Sequence, residues 1–202
     1  MPDDFTNRGE HTHEEIIAAA HSLFLQNGYH GTSMRQIARS AGIALGSIYN
    51  HFSGKEEIFK AIILEHHPLF DILLGMNAAQ GETTEALVRD AAHRMVNALG
   101  ERKDFLNLMF IELVEFKGQH VPALFELFFP QLQEFSRHLV SKPGQLRPIP
   151  MPVILRAFVG LFFSYVITEI VMGQQMPAEM RENSLDSMVD IYLHGILVDG
   201  EV

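Results

Sequence analysis

Apolar residues recur at three- and four-residue spacing through most of this chain. No segment alternates with period two for long enough to make a sheet, so the pattern predicts an all-α fold. Ile16, Ala20, Leu23 and Phe24 predict a helix over about 13–27, closed by Gly28, with Thr12 and Glu15 as a capping box at its start. Residues 1–11 read as a disordered arm. Met34, Ile37, Ala38 and Ala41 predict a second, short helix that Ser33 and Gln36 open and Gly42 stops. A third, over about 45–52, hangs from Ile48 and Phe52. Ser53 with Glu56 opens a fourth, whose stripe is Ile58, Phe59, Ile62 and Ile63 and which ends near His67, because Pro68 follows.

The remaining pattern is more apolar. Residues 69–81 are apolar and then loop-like. Helices are expected over 84–99, 104–116 with Gly118 as its stop, and 122–140, the last interrupted by Pro130. Residues 141–152 carry Pro143, Pro148, Pro150 and Pro152 and read as an irregular, mobile connection. The most apolar helix, 153–172, reads as buried. A link over 173–182 leads to a last helix over 183–197.

Two short helices joined by a glycine turn make a helix-turn-helix. With Ile48 and Phe52 turned inward, the third helix presents Leu45, Gly46, Ser47, Tyr49, Asn50 and His51 outward. That face is small and hydrogen-bonding, and it suits a groove, although a solvated helical hairpin has the same pattern.

The segment 14–59 resembles the DNA-binding domain of the tetracycline-repressor-like (TetR) family of transcriptional regulators. The matching residues are Leu23-Phe24, Asn27-Gly28-Tyr29, Gly31-Thr32-Ser33, Ile37-Ala38, Ala41-Gly42-Ile43, Gly46, Tyr49, His51-Phe52 and Lys55-Glu56. The resemblance implies an N-terminal three-helix DNA-binding domain over 1–58 and a larger helical domain over 59–202 that binds effector and dimerises. It implies a homodimer that represses transcription at double-stranded operator DNA until a small molecule binds. The residues it points to for DNA are Thr32, Ser33, Arg35, Ala44, Leu45, Gly46, Ser47, Tyr49, Asn50, His51 and Lys55, with Tyr49 and Lys55 at phosphate-contacting positions. Two positions depart from the family pattern. Ala44 cannot cap the reading helix by side chain, and Leu45 offers apolar contact, as to a thymine methyl, in place of a hydrogen bond.

Charge refines this picture. The net charge is −10, which argues against sequence-independent binding through a basic body. Residues 1–60 hold five Lys/Arg against seven Asp/Glu, and residues 61–202 hold ten against eighteen. Between 16 and 55 the charged side chains are Arg35, Arg39 and Lys55, so the reading surface is mildly basic and helix N-termini must help with phosphate. The chain has no cysteine, which fits a reducing cytoplasm. The first fifteen residues are too polar for a signal peptide, and the charge-free run 157–168 is shorter than a membrane span, so no membrane partner is expected.

Phenylalanine and methionine in the C-terminal region suit an apolar container for a small hydrophobic effector. Phe105, Met109, Phe110, Glu112, Phe116, Phe128, Phe158, Phe162 and Tyr165 are its candidate lining, although any one of them serves equally as core. Glu112, Arg156 and Glu169 lie in apolar helices and must orient a ligand, pair internally or face out. Ile154, Leu161 and Tyr165, with Leu185, Met188, Val189, Tyr192 and Ile196, form two stripes that could make a two-fold helix-bundle seam. No cofactor and no catalytic constellation is expected. Asp90/His93, Glu134/His138 and Glu112/Glu115/His120 have loose metal-ligand spacing and read as solvated faces. Two other classes stay open: a small helical metal-binding or enzymatic bundle, and an adaptor that docks a protein partner through its helix-turn-helix.

Overall fold

The computed structural model describes residues 3–100 and 104–198. Among them the elements are α-helices and one 3₁₀ turn, Gly173–Gln175, and the strand-like geometry is a single bridge, Leu146 to Leu197. The helices are α1 (Asp3–Asn27), α2 (Met34–Ser40), α3 (Leu45–Ile48), α4 (Lys55–Glu65), α5 (Leu69–Asn77), α6 (Thr84–Gly100), α7 (Phe105–Glu115), α8 (Val121–Ser141), α9 (Met151–Val171), α10 (Ala178–Arg181) and α11 (Ser184–Ile196). They form two compact units, one of residues 1–67 and 104–127, the other of 68–103 and 128–202.

In the first unit α1 packs on α2 and α4, and α2 on α3. The core is Ile16, Ala20 and Phe24 of α1, Ile37 and Ala38 of α2, Ile48 and Phe52, and Ile58, Phe59 and Ile62 of α4. These are the apolar stripes read from the sequence. Four local expectations need correction. Helix α1 begins at Asp3 rather than at a Thr12 cap. Nothing between 3 and 12 breaks a helix except Gly9, whose cost of about 1 kcal/mol is tolerable. Helix α3 is one turn long, because its N-cap Ala44 has no side-chain acceptor and the chain tightens after Ile48, with Asn50 N donating to Ser47 O. At the start of α4 Ser53 pairs with Glu57 and not with Glu56: its amide and hydroxyl donate to that carboxylate at 2.7 and 2.8 Å, while the N-cap Gly54 offers no side-chain cap. Helix α8 runs unbroken through Pro130.

Those two donors hold the Glu57 carboxyl below the usual carboxylate range, the Ser53 backbone bond first and its hydroxyl second. A carboxylate whose folded pKa is depressed stabilises the fold above its unfolded pKa and loses that contribution as pH falls through the folded one. Glu57→Ala should therefore cost a few tenths to about 1 kcal/mol at pH 7. The gap to the parent should shrink in melting curves run at pH 3, and a deficit independent of pH would contradict this role.

In the second unit α6 packs on α5, α9 and α11, and α9 on α11. Phe158 joins Phe135 (ring centroids 5.6 Å) and Tyr192 (5.5 Å), and the Tyr192 hydroxyl donates to Ile154 O at 3.1 Å. Burial raises the Tyr192 pKa well above that of a free phenol. Residues 141–152 are tied down rather than loose. Arg147 N donates to Ile196 O, Val198 N to Gln145 O and Thr84 N to Pro143 O, while the Arg147 guanidinium reaches Leu197 O.

Helix α9 is not the buried helix its composition suggests. Ile154, Phe158, Phe162 and Val166 face inward, whereas Val153, Ala157, Gly160, Ser164 and Ile167 are exposed. By length and composition alone Met151–Glu169 could cross a membrane, yet little of it is buried within the chain.

Candidate nucleic-acid interface

The reading turn is held from behind. Ile48 and Phe52 are 0% and 3% exposed. The His13 ring stacks on Phe52 from α1, with centroids 4.7 Å apart and planes at 25°. Ser33 caps α2: its hydroxyl oxygen accepts from Gln36 N, and its own amide donates to the Gln36 side chain at 2.8 Å. Gly42 has φ +70°, so the turn between α2 and α3 rests on a left-handed residue, which only glycine adopts without strain. Its neighbour Ile43 donates its amide back to Ala38 O.

This frame leaves Ser33, Arg35, Ala44, Leu45, Gly46, Tyr49 and Asn50 exposed, with Ser47 and His51 half-buried. Tyr49, which could also have belonged to the core, is 53% exposed. Arg39 is a further exposed cation on α2, while Glu56 and Glu57 keep the start of α4 from being purely basic.

Two of the candidates turn inward. Thr32 is buried, its hydroxyl 3.1 Å from Leu23 O and 3.0 Å from Gly28 O, so its single proton is held between two backbone carbonyls around the end of α1. The Lys55 ammonium donates to Tyr29 O at 2.5 Å and Thr32 O at 2.8 Å, and sits 4.1 Å from the Tyr29 ring centroid. Burial lowers the Lys55 pKa, with the Glu115 carboxylate acting the other way. Burial, then Glu56 and Glu115, raise that of Tyr29. Lys55 therefore ties the α1–α2 connection to α4 in this structure. Tyr29 lies in an aromatic cluster with Phe24, Phe59 and Phe116, in which Phe59 and Phe116 stack at 4.7 Å. Nothing local in the sequence marks this cluster, because it joins residues as far apart as Phe24 and Phe116.

The candidate effector residues divide between the two units. Met109, Phe110, Glu112 and Phe116 belong to the first, and Phe128, Phe158, Phe162 and Tyr165 to the second. The Phe105 side chain lies outside the described residues, as does that of Arg8, the one cation in the expected arm. Glu112 is fully buried and paired with His120, which settles it as half of an internal pair. Arg156 is exposed and Glu169 half-buried. Phe110 is half exposed, whereas Phe128, Phe158 and Phe162 are buried. A cleft of about 710 Å³ opens in the first unit beside Lys55, Lys60 and His120 and includes none of the candidate phenylalanines.

A helix-turn-helix head built this way, with an uncapped reading turn on a packed three-helix frame, defines a DNA-binding regulator of the helix-turn-helix type. Residues 16–62 match the family model described as bacterial regulatory proteins, tetR family. That N-terminal segment carries the helix-turn-helix domain of the tetR family of bacterial regulatory proteins. It is 38% identical over 65 residues to the HTH-type transcriptional regulator UidR of Escherichia coli K12, a match spanning 32% of this chain and about a third of that relative's length. It is 28% identical over 160 residues to the HTH-type transcriptional regulator SrpR of Pseudomonas putida, covering 76% of this chain and 70% of the relative. Its fold is similar to that of a chain from Mesorhizobium loti MAFF303099 assigned to the TetR-family transcriptional regulators, with a TM-score of 0.68, 21% identity, and coverage of 95% and 99% of the two chains.

Proposed function

We propose that this chain is a homodimeric repressor that binds operator DNA through residues 1–58 and is released by a small hydrophobic effector bound within 59–202. The observation that carries the reading is the exposed set Leu45, Gly46, Tyr49 and Asn50, with Ser47 half-buried beside them, on a turn whose other side is fully engaged by Ile48 and Phe52. A face so small and polar has little to gain from packing and much from a groove. Ser33, Arg35 and Ala44 at the helix starts, with His51, complete the surface. Thr32 and Lys55 support it from within, and any contact they make to phosphate is through backbone or residual charge. A regulator of this kind works in the cytoplasm, where the DNA is.

The dimer seam we infer differs from the stripes read in the sequence. Ile154, Leu185, Val189, Tyr192 and Ile196 are buried inside the subunit, and Leu161, Tyr165 and Met188 are half-buried at its margin. The exposed stripe of α9 runs at heptad-like spacing through Val153, Ala157, Gly160, Ser164 and Ile167, and α11 exposes Ser187, Ile191 and His194. Two such faces related by a two-fold axis make a four-helix seam, and the small residues on α9 allow close approach. Burial against a partner also explains why so apolar a helix stays uncovered in one chain. For effector, the buried Phe128, Phe158 and Phe162 with Tyr165 offer the most apolar surroundings.

The test is selection of duplexes from a random library with the full chain, followed by affinity measurement across salt. The expected site is palindromic, with half-sites about one helical turn, ~34 Å, apart and an affinity that falls steeply with salt. Enrichment of a lone half-site would remove the dimer from the proposal, and absence of enrichment would remove operator reading.

A further inference from the structure

We propose that the junction of α1 and α4 is a binding site for a divalent transition-metal cation, ligated by His13 and Glu14 of α1 with Glu65 and His66 at the end of α4. The four residues come as two adjacent pairs, one on each helix, and they meet crosswise. His13 Nε2 is 3.4 Å from Glu65 Oε2, and His66 Nε2 is 3.2 Å from Glu14 Oε2. Donor atoms of Glu14, Glu65 and His66 all lie within 4.8 Å of one another. A tetrahedral ion with bonds of 2.0–2.2 Å to nitrogen and oxygen sets its ligands about 3.3 Å apart. The two crosswise distances already match that edge, and a small rotation of partly exposed side chains closes the rest.

The electrostatics point the same way. Among the described residues no Lys or Arg pairs with Glu14 or Glu65, and the partners of both are imidazoles. Two carboxylates facing each other without a fixed cation repel, and an entering cation removes that cost while using the neutral imidazoles as ligands. Two nitrogens and two oxygens suit Zn²⁺, Co²⁺ or Ni²⁺, rather than the all-oxygen shells of Mg²⁺ and Ca²⁺ or the sulfur ligands of Cu⁺. One ligand is already oriented, since His13 stacks on Phe52. Phe52 also anchors the reading turn, so a bound ion would fix α1, α4 and the back of that turn together. The inference goes beyond the repressor reading and does not depend on it.

The test is calorimetric titration of the full chain, prepared without an affinity tag, with Zn²⁺ alone at pH 7.5. Co²⁺ absorption reports the coordination geometry. The expected result is one Zn²⁺ per chain with a dissociation constant on the order of 1 μM. His66→Ala and His13→Ala should each weaken it at least about tenfold. Glu65→Gln should do so too and guards against misfolding of a histidine variant. His93→Ala, which alters an imidazole–carboxylate pair with Asp186 in the other unit, should change nothing. Zn²⁺ should raise the melting temperature of the parent and not of His66→Ala. Lack of saturable binding below about 100 μM, or binding undiminished in all three junction variants, would overturn the proposal. No DNA is present in the titration, so its outcome is separate from that of operator selection.

Discussion

His120→Ala should destabilise the protein by about 3–5 kcal/mol, the largest effect expected of any single substitution discussed above. Glu112 is 0% and His120 5% exposed. The Glu112 carboxylate accepts from His120 N at 2.7 Å through one oxygen, and its other oxygen lies 2.8 Å from His120 Nδ1. Removing the ring leaves a buried charge with one backbone donor and opens a void beside Phe116, whose ring is 5.1 Å from the imidazole. For a chain of this length the melting temperature should fall by on the order of 10 °C. Glu112→Gln is the informative contrast. The amide oxygen still accepts from the His120 amide, and its NH₂ can face the ring nitrogen, so the cost should stay below about 1.5 kcal/mol. Equal losses in the two variants, measured by chemical denaturation, would contradict this account, because Glu112→Gln opens no void and strands no charge.

Gly46→Ala should leave the fold as stable as the parent and weaken operator binding by at least about tenfold. An added Cβ at Gly46 meets nothing within 4 Å, and the residue is not in the left-handed region. Helix propensity favours alanine there by as much as about 1 kcal/mol. The fold therefore gives no reason for glycine, whereas close approach of the α3 backbone to a sugar–phosphate strand does. Gly42→Ala should behave oppositely, losing about 1–2 kcal/mol of stability because its φ is +70°. If Gly46→Ala melts like the parent and also binds operator like the parent, α3 does not approach DNA on that face.

The features legible in the sequence were those that close within a few residues. The Ser33–Gln36 box, the left-handed Gly28 and Gly42, and the bare Ala44 cap follow from chemistry at fixed short offsets. Ambiguity began where two offsets serve equally well: Glu56 and Glu57 can both reach back to Ser53, and packing decided for Glu57. It grew where a helix is apolar all round. In α9, Val153 and Ile154 are adjacent and equally hydrophobic, so periodicity could not say which of the two faces the subunit core. The destination of Lys55 depends on long-range packing that no local pattern encodes, and Glu112 with His120, whose spacing read as a solvated face, is instead a buried pair.

Helix α3 separates the residues that hold from the residues that read. Ile48 and Phe52 carry its attachment, and among the described residues the outward side chains make no hydrogen bond to the rest of the head. If α3 reads operator DNA as proposed, substitutions at Leu45, Ser47 or Asn50 cost little in folding and act mainly on DNA preference, so that trading these few side chains would rewrite the preferred site above an unchanged scaffold.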